Sequence, residues 1–126
     1  MNVEEIFANY FITYCEKFSK TNLKYFKTSD YREGNAQSNP HAIVGNAMDF
    51  VLKYKDNSYA IIEEYNLLFK DMLTNWPYRA GIDNTYGNIH IHLDLGLNKP
   101  VNQTLPFFFK EDDGRFKYQI INEDQV

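Results

Sequence analysis

Residues 89–95 read Ile89-His90-Ile91-His92-Leu93-Asp94-Leu95. Apolar and polar side chains alternate one for one, the period of a β-strand rather than of a helix. His90, His92 and Asp94 therefore share one strand face, with same-face neighbours roughly 7 Å apart. Downstream, Asn98-Lys99-Pro100 marks a turn and Gln103 to Lys110 a second strand. Asp112-Asp113-Gly114 is a hairpin signal, and Arg115 to Ile121 a last strand. Residues 80–87 add a further short strand upstream. The C-terminal third thus predicts an antiparallel meander.

The N-terminal part has a different period. Val3, Ile6, Phe7, Tyr10, Phe11, Tyr14 and Phe18 line one helical face, with Asn2 as cap and Glu5 in capping-box position. Leu23, Tyr25 and Phe26 suggest another short turn. Residues 28–39 are polar and read as a loop. Asn39-Pro40 is a helix start signal, and Ile43, Val44, Ala47, Met48, Val51 and Leu52 form the stripe of a second helix. Gly45 sits early in that stripe, where it allows close helix contact. Asp49 takes a boundary position on it. A third helix is predicted from about Ser58, with Ile61, Ile62, Tyr65, Leu68, Phe69, Met72 and Trp76 inward and Pro77 as its stop. The fold expected is α+β, three N-terminal helices packed on a curved, mainly antiparallel C-terminal sheet, as one domain over residues 1–126.

Composition narrows the function classes. The chain has 126 residues, 17% of them aromatic, enough to build a core without staples. Cys15 is the sole cysteine, so no internal disulfide forms. It reads as a small buried hydrophobe rather than a nucleophile. No leader and no membrane-length apolar run is expected, which points to a cytoplasmic protein. A net charge of −4 argues against nucleic-acid binding and suits a basic protein partner. The six glycines are isolated, so no phosphate loop appears.

The run Leu105-Pro106-Phe107-Phe108-Phe109-Lys110-Glu111-Asp112-Asp113-Gly114-Arg115-Phe116-Lys117-Tyr118, with the order of helices before it, resembles the closing hairpin of the NTF2-like superfamily. That group includes ketosteroid isomerase, SnoaL-like proteins and bacterial immunity proteins. The resemblance implies a cone-shaped sheet, and either a binding protein or an enzyme built around the cone cavity.

Two functional readings follow. In the first, a non-enzymatic bacterial immunity protein neutralises a secreted toxin domain through acidic groups, namely Glu63, Glu64 and Asp71 on the third helix and Glu111, Asp112 and Asp113 at the hairpin tip. Tyr31, Tyr86 or Phe108 would supply aromatic anchors. In the second, a small-molecule binder or isomerase/hydrolase-like enzyme points His90, His92 and Asp94 into a pocket. The plain alternative is that these three face solvent. Two histidines at this spacing can share a metal, but a third ligand is needed. His41, the only other histidine, falls at a predicted helix start, so no metal or cofactor is assigned. The chain is expected to be a monomer or, if Phe108 and Ile121 lie on an exposed apolar face, a homodimer.

Overall fold

A computed structural model describes residues 2–35, 39–83, 89–97, 108–110 and 116–118. The first helix, α1, spans Val3–Lys17. Asn2 Oδ1 accepts the free N–H groups of Glu4 and Glu5 at 2.9 and 3.4 Å, and so closes the first turn. Strand β1 is Leu23–Ser29, and a single 3₁₀ turn covers Pro40–Ala42. Then come β2 (Ala47–Tyr54), α2 (Ile62–Asn75), β3 (Arg79–Asp83), β4 (His90–Asp94), β5 (Phe108–Lys110) and β6 (Phe116–Tyr118). The sheet order is β1-β2-β4-β3-β5-β6. The first four strands are antiparallel neighbours, β5 runs parallel to β3, and β6 returns antiparallel to β5.

The architecture is α+β, but the described residues hold two α-helices, not three. The expected second helix is a 3₁₀ turn followed by β2. Asn39 Oδ1 caps His41 N–H at 3.0 Å, so the start signal is used, but for one turn only. Gly45 then adopts φ 78°, a left-handed conformation that a helix cannot contain and that glycine takes without strain. Beyond it, Ala47, Met48, Phe50, Val51 and Leu52 are all buried, because β2 lies inside the sheet and is covered on both faces. A strand apolar on both faces imitates a helical stripe. The segment around Leu23 is likewise an edge strand and not a turn, so strands precede α2 as well as follow it.

The last helix begins at Ile62 rather than Ser58. Ser58 N–H and Oγ are both bound to Asp56 in a turn, and Tyr59 bridges Lys53, which holds this stretch extended. Both helices pack on the sheet face that carries Met48, Phe50, Leu52, Ala80, Ile91 and Leu93. Phe7 is the hub of that core. Its ring centre lies 4.6 Å from Phe50, 5.1 Å from Tyr25 and 5.8 Å from Trp76, the latter two edge-on. These are favourable aromatic geometries on top of the area buried.

Candidate metal centre

The other face of the sheet holds a different kind of core. Asp49 on β2 is the register partner of His92 on β4, and His92 is in turn opposite Gly81 on β3. Asp94 is opposite Arg79 on β3. Partners across antiparallel strands share a face, so Asp49, His92, Asp94 and Arg79 stand together. The stretch of residues 39–46 brings His41 onto the same face. It is fixed by Arg32 N–H to the His41 carbonyl (2.9 Å) and Asn46 Nδ2 to the Pro40 carbonyl (3.0 Å). Asn46 also ties this segment to the end of β4, accepting Leu95 N–H at its carbonyl and Leu97 N–H at Oδ1.

Three donor atoms converge. His92 Nδ1 is 2.8 Å from Asp49 Oδ1, and His41 Nε2 is 3.2 Å from the same oxygen. All three ligand atoms lie within 4.8 Å of one another. The rings meet edge to face, with centres 5.0 Å apart. The outward nitrogen of each ring is anchored. His92 Nε2 meets Asp94 Oδ2 at 2.8 Å, and His41 Nδ1 donates to the Asp30 carbonyl. Asp94 is held by Arg79 Nε at 3.0 Å and by Gly96 N–H at 2.8 Å, both on Oδ1. His41, His92, Asp94 and Arg79 are buried, while the Asp49 side chain is 23% exposed. The opening is therefore at Asp49, where Arg32 Nη2 stands 3.9 Å from Oδ2.

Electrostatics follow from this packing. Burial disfavours a charged His92, but its bonds to Asp49 and Asp94 outweigh that and push it up to about 9. Burial likewise works to raise Asp49, yet the two imidazoles hold its carboxyl well below the usual carboxylate range. Asp94 is lowered against its own burial by His92 first and Arg79 next.

The residues singled out from sequence fall as follows. His92 and Asp94 belong to this cluster and are buried, so they do not form a solvated strand face. His90 is half-buried on the same face. Asp71 is buried on α2 and already bound to Tyr10 Oη (2.6 Å), Lys17 Nζ (2.8 Å) and Asn75 Nδ2 (3.0 Å). Glu64 pairs with Lys20 at 2.6 Å, which leaves Glu63 exposed beside two neutralised acids. Tyr31 is exposed. Glu111, Asp112, Asp113, Tyr86 and Ile121 lie outside the described residues, and of Phe108 only the backbone is described. His41 and Asp49 were missed as ligands because the helical reading put His41 at a helix start and Asp49 at a boundary position, with neither tied to the strand that carries His92. The pair Gly45-Asn46 was the signal available, since a turn there leaves too few residues for a helix.

A second concavity of about 430 Å³ lies between α1 and α2, lined by Tyr10, Lys17, Asp71 and Trp76 among others, and includes no residue of the His–Asp cluster. No helix among the described residues is long and apolar enough to cross a membrane. No protein-family model, curated protein or solved structure matches the chain.

Proposed function

We propose that this chain is a metal-dependent hydrolase that holds one divalent ion, zinc for preference, on His41, Asp49 and His92. The observation that carries the proposal is the arrangement of the two rings: each has its outward nitrogen fixed by an acceptor and its inward nitrogen turned to one shared carboxylate oxygen. Metal-binding histidines are oriented in this way, by a carboxylate or carbonyl on the far nitrogen. Tetrahedral zinc, with bonds of roughly 2.0–2.2 Å, sets its ligand atoms about 3.3 Å apart. The spacings to Asp49 are 2.8 and 3.2 Å, and an ion bound there would take the place of the proton that His92 Nδ1 shares with Asp49.

Among the described residues three ligands converge, and three rather than four favour a catalytic over a structural role, because one position is left for water. A bound divalent ion would supply Lewis-acid chemistry and a water acidified to near neutrality. The chain's own residues do the rest. Asp94, locked by Arg79, keeps the His92 ring in register. Arg32, 57% exposed beside the opening, offers a cation to negative charge developing on a substrate oxygen. His90, on the same strand face at roughly 7 Å from His92, is positioned to carry a proton.

This reading stands ahead of the immunity-protein proposal for a physical reason. Two of the acids that proposal uses, Glu64 and Asp71, already have cationic partners within the chain. The NTF2-like resemblance remains a proposal and is not needed for the metal site.

The test is calorimetric zinc titration of the metal-stripped chain, alongside a panel of chromogenic amide, ester and phosphodiester substrates. About one zinc per chain is expected, with Asp49→Asn and His92→Gln weakening binding by more than about 100-fold. Absence of stoichiometric binding, or variants that bind like the parent, would overturn the site. Zinc binding without any hydrolysis would overturn the enzymatic part alone.

A further inference from the structure

Well away from the ion site, the same sheet face carries two exposed aromatic rings around a lysine. Phe26 on β1 is 49% exposed and Tyr59, just past β2, is 57% exposed. Lys53 Nζ lies 4.3 Å from the centre of the Phe26 ring and 5.1 Å from that of Tyr59. Lys24 is the register partner of Lys53, so two ammonium side chains stand opposite each other on this face. Like charges directly across a strand pair are unfavourable by themselves. Relief is partial: Lys24 meets the neutral amide of Asn57, and the Asp56 carboxylate of the adjoining turn feels Lys24 but is bonded to Ser58. Among the described residues neither lysine has an ion pair. Strand β1 is the end strand of the sheet order, so among the described residues one of its edges has no strand neighbour.

We propose that this end of the sheet docks an extended acidic peptide segment of a partner protein. Its carboxylates would meet Lys53 and Lys24, and its apolar parts would rest on Phe26 and Tyr59. Three features argue for that occupant. The charge is complementary, although the chain as a whole carries −4. Lys53 is held over the rings rather than left free, so less side-chain freedom is lost on binding. Lys24 and Phe26 lie on β1, the outermost strand described, so the face is open to an extended segment laid across β1 and β2. The surface lies four residues along β2 from Asp49, or about 13 Å, and does not depend on an ion.

The experiment is fluorescence anisotropy with a fluorescein-labelled Thr-Glu repeat hexapeptide, in chelator, against its Thr-Gln counterpart and a DNA oligonucleotide of equal charge. Saturable binding of the Glu peptide is expected, weakening severalfold as salt rises from about 50 to about 200 mM. Lys53→Glu should cost at least about tenfold, with Lys53→Gln intermediate. Phe26→Ala and Tyr59→Ala should each cost roughly threefold or more. Lys70→Glu, the same charge change on exposed α2, should leave binding as it was. The proposal is overturned if the Gln peptide binds equally, if Lys70→Glu weakens binding as much as Lys53→Glu, or if only the oligonucleotide binds. A circular-dichroism melt of each variant separates lost binding from lost folding.

Discussion

Asp49 and His92 are direct partners across the β2–β4 pair, and their side chains meet at 2.8 Å on the sheet face turned away from the helices. Two strands distant in sequence thus deliver two of the three candidate ligands through backbone register alone.

Asp94 meets His92 Nε2 at 2.8 Å, so it would act on a bound ion through that ring. Asp94→Asn keeps the shape but weakens the anchor on Nε2. Zinc affinity should fall about 10- to 100-fold, the usual cost of losing such a partner. Competition against a chromogenic chelator reads this directly. An unchanged affinity would mean that the His92 ring is held by packing alone.

Arg79 is buried and faces a buried Asp94. Arg79→Met removes the cation and leaves the carboxylate in a dry site beside His92. Breaking one side of a buried pair costs about 3–5 kcal/mol, so the urea midpoint should drop sharply. The double variant Arg79→Met/Asp94→Leu should recover part of the loss.

Asp71 gives the stability curve an acid limb. Burial works to raise it, but Lys17, Tyr10 and Asn75 bring it below the ordinary aspartate value. A group lowered on folding stabilises the chain above its unfolded pKa, and the contribution disappears as pH falls through the folded one. Stability should therefore decline below about pH 4, and Asp71→Asn should flatten that decline. At neutral pH the substitution should cost about 1–2 kcal/mol, since Lys17 is half exposed and its share is screened. Chemical denaturation at stepped pH values checks both statements.

Phe7 touches both helices' aromatic partners and the sheet. Phe7→Ala should destabilise by about 3–5 kcal/mol through lost burial and a cavity. Because the cluster lies on the other sheet face, zinc affinity of the folded fraction should barely change. A parallel loss of affinity would show that the two faces are coupled.

Much of this was legible in the sequence, and the failures lie where burial on both faces or contacts from other elements hide the pattern. The alternation at 89–95 gave β4 and the shared face of His92 and Asp94, because a five-residue strand with one polar side leaves little choice. The stripe from Val3 to Phe18 gave α1 and its Asn2 cap. The strands β5 and β6 fall within the expected hairpin. Residues 40–52 misled because β2 is covered on both faces, which erases the period of two. The turn at Gly45-Asn46 was then read as part of a helix. His41 could not be joined to His92 without that turn, since their meeting depends on how residues 39–46 lie on the sheet. Asp71 was placed outside for a similar reason: helical spacing does not reveal that Lys17 and Tyr10 of another helix reach it.

The sheet at the centre of the molecule is one chain thick, and this separates neighbours. Phe50 looks toward the stacked rings while Asp49, the very next side chain back, looks toward charge. Adjacent codons therefore answer to unrelated demands, one for oily volume and one for ligand geometry. Sequence drift on either side can proceed without consulting the other, so distant cousins of this chain should share the ionic constellation long after their greasy halves have ceased to look alike.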